Sequence, residues 1–387
     1  MKTLIVILFA TAAMLAGGKD PVPPPQPPKI KVGLIVSTTG ALATFGSDTK
    51  NGVDLAVQEI NKAGGIGGQE IEIVFKDCAS KPEDAESAAQ ILTTKKKVVA
   101  CIGCVASGLT LAAAPVFQKA EVPLISPTAT NPTVTQQGKM IFRGCFMDDF
   151  QGEGIAVYAT SDMKAKTAAI ISNQDDPYSI GLAKFFKDKF TELGGKVVSE
   201  QNYRFDADDY ETQLKAIRAA APDVVFAPVY YNDLLVIARQ AKELEYAPKL
   251  LGCDGWESRQ LLAEDAVGVE GAVFADHFCA GHGDEADAFV TAYKKKYNED
   301  PSSLAALGYD TVCMLVAALA DAGSTEGEKI ARSLGALKDF NGVTGRKIRM
   351  GAERSPEKPL IMVKIEKGEF AFVREVTYDE VRPPEQK

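Results

Sequence analysis

From Lys29 onward the chain alternates short apolar runs with amphipathic stretches, and it does so in two successive series. Residues 30–37 read as a strand and residues 47–62 as a helix. Val53, Ala56, Val57 and Ile60 recur there at the i, i+3, i+4, i+7 spacing that gathers side chains on one helical face. Gly64-Gly65-Ile66-Gly67-Gly68 ends that helix, because glycine accepts the left-handed backbone of a helix stop. Residues 71–75, 98–102 and 122–125 are further strands, and a helix begins at Pro82. The second series holds strands at 168–171, 197–203, 224–229, 249–252 and 272–275. Between them lie helical stripes such as Leu182, Phe185, Phe186, Phe190, Leu193 and Leu234, Ile237, Ala238, Ala241. Helices near 285–297 and 303–320 and strands at 360–365 and 370–376 complete it. Strands separated by helices pair in parallel, because the helix must carry the chain back before the next strand starts. The expected fold class is therefore α/β, with two doubly wound parallel-sheet lobes. In open sheets of this kind ligands bind beyond the carboxyl ends of the strands, so two lobes place a site in the cleft between them.

Two strand-to-helix turns carry the chemistry. After the apolar run 122–125 comes Ser126-Pro127-Thr128-Ala129-Thr130-Asn131-Pro132. After 98–102 comes Gly103-Cys104-Val105-Ala106-Ser107-Gly108, leading into the helical run 109–120. Hydroxyls and free backbone N–H groups at a sheet edge suit a small anion such as a carboxylate. The second series places Asp254 at a strand end, in Leu251-Gly252-Cys253-Asp254-Gly255-Trp256. Tyr230-Tyr231 follows Pro228, and Tyr178 follows Asp175-Asp176-Pro177.

The length of 387 residues suffices for two cores, and a net charge of −9 argues against nucleic acid or an anionic membrane as partner. Lys2, the apolar run 4–16 and the small residues Ala16-Gly17-Gly18 read as a signal peptide. Leu15-Ala16-Gly17 resembles a lipoprotein cleavage box, with Gly18 standing where the lipid-bearing Cys belongs. Residues 19–29 form a proline-rich tether. The expected location is periplasmic. Of the seven cysteines, Cys78 and Cys104 are expected to pair, since both fall at the ends of neighbouring strands; the Cys101–Cys104 spacing reads as structural. No cofactor or metal is expected. The two histidines, at 277 and 282, lack a metal-binding spacing, no nucleophile elbow or phosphate loop occurs, and the glycines at 64–68 lead from helix to strand, the reverse of a dinucleotide fingerprint. The chain is not expected to be an enzyme.

Taken together, the chain resembles the type I periplasmic binding proteins that serve ABC importers, in the leucine/isoleucine/valine-binding branch. The resemblance spans residues 29–376. It is carried by Ile30-Lys31-Val32-Gly33, Gly40 with Gly46, residues 52–61 with the glycines at 64–68, Pro123-Leu124-Ile125-Ser126-Pro127 with Ala129-Thr130-Asn131-Pro132, and Tyr309-Asp310. It implies residues 1–18 as leader, 19–29 as tether, 30–147 plus 279–348 as one lobe, 148–278 plus 349–378 as the other, and 379–387 as a tail. Three crossover strands near 145–149, 274–280 and 345–352 would join the lobes, which hinge shut over the ligand. The resemblance further implies that Ser107 and Thr130 hold the α-carboxylate of a free amino acid, with Ala106 beside them. The Thr128 carbonyl and Asp254 would receive the ammonium, while Tyr230, Tyr178 and Phe45 close over it. The branched-chain binders carry Glu where this chain has Asp254, and Trp256 is placed as a wall of the side-chain pocket. A neutral aliphatic or branched-chain amino acid, an ABC permease in the inner membrane and a monomeric state follow from the same likeness. Two rival classes are a ligand-sensing module feeding a signalling receptor and an enzyme acting in the cleft.

Overall fold

The computed structural model of the protein describes residues 27–205, 207–281 and 284–382. The leader, most of the tether and residues 383–387 of the tail lie outside the described residues.

Five parallel strands form the first sheet: β1 (Ile30–Val36), β2 (Ile71–Asp77), β3 (Ala100–Gly103), β4 (Leu124–Ser126) and β5 (Ile141–Arg143), in the order β2-β1-β3-β4-β5. Every residue of β3, β4 and β5 is buried, as helices on both faces of a parallel sheet require. Those helices include α1 (Ala43–Lys62), α2 (Pro82–Gln90), α3 (Ser107–Ala120) and the short α4 (Thr133–Gln136). The chain then passes to α5 (Asp148–Ser161) and a second sheet. Its parallel part is β6 (Thr167–Asn173), β7 (Lys196–Tyr203), β8 (Val224–Phe226), β9 (Leu250–Gly252) and β10 (Val273–Asp276). Between them run α6 (Pro177–Glu192), α7 (Glu211–Ala220) and α8 (Tyr231–Glu243). From β10 the chain returns to the first lobe for α9 (Asp284–Tyr297), α10 (Ser303–Ala322) and α11 (Gly327–Gly335). A small antiparallel sheet, β11 (Phe340–Gly342), β12 (Gly345–Met350) and β13 (Pro356–Glu357), carries it back. The hairpin β14 (Leu360–Glu366) and β15 (Glu369–Val376) then adds antiparallel to β10, and α12 (Tyr378–Val381) follows. The second sheet runs β15-β14-β10-β9-β8-β6-β7.

Both sheets reverse their winding beside the cleft. The first reverses between β1 and β3, the second between β6 and β8. At such a switch point the loops leaving adjacent strands turn to opposite faces and open a crevice. The turns after β1, β3, β6 and β8 carry Phe45, Ser107, Tyr178 and Tyr230 respectively. Topology therefore gathers four distant segments at one place.

Three segments join the lobes: residues 144–147, 277–280 and the small sheet. Only the last is regular strand. The first and the last are bound to each other, Lys358 Nζ donating to the Gly144 carbonyl at 3.3 Å and to Thr344 Oγ1 at 3.1 Å. The cysteine expectation needs correction. All seven thiols are free. Cys78 and Cys104 do lie together, but as hydrogen-bonded thiols, with Ser37 Oγ 3.3 Å from the Cys78 sulfur. That contact and the one to Cys104 draw the Cys78 thiol down to about 7.

Candidate functional site

Phe45, Val105, Ala106, Ser107, Thr128, Tyr178, Tyr230, Asp254, Gly255 and Leu304 enclose one cavity between the lobes. Its volume is about 10 Å³, roughly the room one water needs. The jaws are in contact around it. Tyr231 Oη accepts from Thr44 Oγ1 at 2.6 Å and donates to the Ala41 carbonyl at 2.9 Å, while Phe45 stands edge-on to the Tyr230 ring at 5.9 Å. Asn131 Nδ2 also reaches across, to the Pro177 carbonyl at 2.7 Å.

The first lobe presents donors. Ser107 is the first residue of α3, and no side chain caps that helix. Its leading N–H groups and dipole are thus free for an anion. Ser107 Oγ accepts from the Asn131 N–H at 3.2 Å, and Thr128 Oγ1 donates to the Val105 carbonyl at 2.6 Å. These two bonds stitch the turns after β3 and β4 into one surface. Beneath it the buried Arg143 guanidinium donates to the carbonyls of Ala129 (2.6 Å) and Asn131 (2.9 Å), fixing the 129–131 turn from behind.

The second lobe presents an acceptor. Asp254 begins a single 3-10 turn after β9. Its Oδ1 accepts from Tyr178 Oη at 2.7 Å and from Gln151 Nε2 at 2.9 Å; its Oδ2 faces His277 Nε2 at 3.2 Å. Gln151 Oε1 in return accepts the Asp254 N–H at 2.9 Å, so the amide of α5 locks both backbone and side chain. Tyr178 Oη also accepts the Gly255 N–H at 2.8 Å, and its ring stacks on Tyr230 at 4.9 Å. A Cβ on Gly255 would come within 2.7 Å of that hydroxyl, which is why glycine follows Asp254. Burial, with the Asp254 charge beside it, pushes the Tyr178 phenol well above its ordinary value, so it stays a donor.

The structure thus gathers Phe45, Ala106, Ser107, Thr128, Tyr178, Tyr230 and Asp254 around the cavity. Thr130 is set apart from the lining. Its carbonyl accepts the Asp148 N–H at 2.9 Å, which draws the residue beneath the surface, and its hydroxyl is buried without a partner. Asp148 is buried too, its carboxyl oxygens unpaired, and burial together with the Asp254 charge pushes it well above the usual carboxylate range. Trp256 is corrected. It lies fully buried behind the site, with Nε1 donating to the Ala227 carbonyl at 3.0 Å and the indole against Gly252 and Phe274, so it builds the lobe's core and not the cavity wall. Gln151, Asp148, His277 and Leu304 escape the sequence reading. Gln151 and Asp148 lie in a stretch without strand or stripe, and nothing local pairs His277 with a residue 23 positions away. Among the described residues no group of three or more His, Cys, Asp or Glu side chains is placed to hold a metal.

Residues 29–369 match the periplasmic binding protein family, and the chain belongs to it. A Leu/Ile/Val-binding protein homologue of Brucella melitensis is 30% identical over 299 residues, covering 77% of this chain and 80% of the relative. Among solved structures, a leucine-binding protein of Thermotoga maritima shares 34% identity at a TM-score of 0.86, covering 91% of this chain and 99% of that one. A branched-chain amino acid transporter substrate-binding protein of Streptococcus pneumoniae, in complex with isoleucine, shares 33% at 0.84, covering 90% and 99%. These relatives are solute-binding proteins, not enzymes, and the fold is theirs.

Proposed function

We propose that this chain is the extracytoplasmic solute receptor of an ABC importer and that it binds a free α-amino acid, neutral and aliphatic, between its lobes. One observation carries the reading: a buried carboxylate, Asp254, faces the uncapped start of α3 across the cavity. A zwitterion needs that pairing, since its carboxylate wants N–H and hydroxyl donors while its ammonium wants an anion. Ser107 and the α3 N–H groups take the carboxylate; Asp254 and the Thr128 carbonyl take the ammonium; Phe45, Tyr178 and Tyr230 cover the aliphatic part. Thr130, whose buried hydroxyl has no partner of its own in the closed form, joins them when the lobes part. The relatives named for leucine and for isoleucine support this class of ligand. Entry requires opening, because the closed cavity holds no amino acid, and closure on the ligand then shifts the open–closed equilibrium. The closed monomer is the form handed to a membrane permease outside the cytoplasm.

A thermal-shift and calorimetric panel of the common L-amino acids tests this. A specific ligand raises the melting temperature in step with ln(1 + [L]/Kd). No response to any amino acid, alongside a response to a carboxylate without an amine, would refute it.

A further inference from the structure

We propose that His277 orients Asp254 for the ligand's ammonium and makes capture pH-dependent, tight at neutral pH and weak in acid. The inference rests on the amino-acid reading of the cleft and adds a regulation of that same site.

His277 is the first residue after β10, on the second of the three segments between the lobes. It is 2% exposed. Its ring lies flat on Phe146, centroids 3.7 Å apart, and Nε2 is 3.2 Å from Asp254 Oδ2. The backbone is fixed as well, the His277 N–H donating to Asp276 Oδ1 at 2.6 Å. Nδ1 is buried with no partner. A ring in this setting carries one proton, on Nε2, where Asp254 receives it. A second proton would sit on Nδ1 with no acceptor in reach, the costly case for a buried donor.

The charged and titratable neighbours point the same way. Among the described residues, Asp254 is the one group that bonds to the ring. Lys358, on the segment leading into β14, opposes a second positive charge. Asp276 is turned to the backbone, and Glu257 lies beyond it, sharing its surroundings. Burial, with the Asp254 charge beside it, pushes Asp148 well above the usual carboxylate range. Burial outweighs the Asp254 hydrogen bond and pulls the closed-form imidazole down to about 4.

Parting the lobes admits water to the crossing segment, where an imidazole titrates near its ordinary value of about 6.5. The open form therefore takes up a proton that the closed form refuses, and acid favours the open form. An imidazolium also pairs with Asp254 in place of the ligand's ammonium, which acts in the same direction. Linkage between these two values predicts binding roughly thirtyfold weaker at about pH 5 than at about pH 8.

Calorimetric titration of the full chain with L-leucine and L-alanine at those two pH values, for wild type and His277→Gln, is the test. Glutamine keeps an N–H donor and cannot charge. The variant is expected to lose most of the pH dependence, the ratio of its affinities at the two pH values falling to within a few-fold, whatever its affinity at the higher pH. The chain has two histidines, so a His282→Asn variant assigns the His277 ring in NMR spectra. That ring should remain neutral, with the proton on Nε2, in the liganded protein at about pH 5. An identical pH slope in wild type and variant, or a ring that titrates normally with ligand bound, overturns the proposal, and the NMR result decides if the variant does not fold. Binding that is present but insensitive to pH removes this inference alone; no binding of either amino acid at the higher pH removes the underlying reading as well.

Discussion

Asp254 accepts three hydrogen bonds in the closed cleft, from Tyr178, Gln151 and the His277 side, so its orientation is set before a ligand arrives. A carboxylate has about four acceptor sites, and the remaining one faces the cavity. Asp254→Ala should therefore weaken amino-acid binding by about 2–5 kcal/mol, the cost of leaving a buried ammonium without its anion. Calorimetry on the folded variant checks it, and wild-type affinity would refute the role. At this scale the sequence was partly legible. Tyr178, Tyr230 and Asp254 stand where strands end, and position relative to a strand is a local property. His277 reads locally as a structural histidine and Trp256 as a pocket wall, because which side of Gly252 an indole occupies depends on packing that no neighbouring residue announces.

At the scale of elements, α10 shows how packing selects residues. It is apolar along 20 residues and long enough to cross a membrane, yet 72% of its apolar window is buried inside the protein, against α1. The close approach of the two helices needs Gly52, where a Cβ would stand 1.9 Å from the Ala305 carbonyl oxygen. Backbone cannot yield as a flexible side chain would. Gly52→Ala should cost at least about 1–3 kcal/mol by overpacking, read as a lower urea midpoint with unchanged slope. An unaltered midpoint would mean the helices can separate freely. The alternation of strand and helix anticipates these elements well, though α1 begins at Ala43, four residues before the start expected at residue 47. β12 falls within the crossover strand that the resemblance implies at 345–352, but its partners β11 and β13, and α5, were not anticipated, because their residues pair or pack with segments far away in the chain.

For the whole molecule, closure is the property of interest. Tyr231 bridges to Thr44 and Ala41 across the cleft. Tyr231→Phe removes about 0.5–1.5 kcal/mol from the closed form, and calorimetry should show binding weakened two- to tenfold, with stability of the separate lobes little changed. Another bond across the lobes runs from the Ser303 N–H at the start of α10 to Glu257 Oε1, 3.3 Å away. Burial pushes the Glu257 carboxyl up to about 7, against the lowering effect of its hydrogen bond with Asp276, and burial followed by repulsion from Glu257 pushes Asp276 well above the usual carboxylate range. A carboxyl whose folded value exceeds its unfolded one contributes stability that is complete below the unfolded value and is lost as pH rises through the folded value. Denaturation midpoints should therefore fall between about pH 5 and pH 8, and Glu257→Gln should flatten that fall. A variant with the wild-type slope would show that the pair does not set it.

Sequence alone determined the class of fold and the strand ends at which its loops turn. Apolar periodicity is a property of adjacent residues, and two strand–helix series leave little choice but two wound sheets with loops at their carboxyl edges. It also placed the hydroxyl-bearing turns and the acid, since each follows directly from where a strand stops. Tertiary structure decided the rest: that Thr130 is drawn under the surface by Asp148, that Cys78 and Cys104 meet as thiols, that Trp256 belongs to the core, and that His277 closes on Asp254. Each of these depends on the distance between groups remote in the chain, and hydrophobic pattern fixes which face is buried without fixing which buried groups touch.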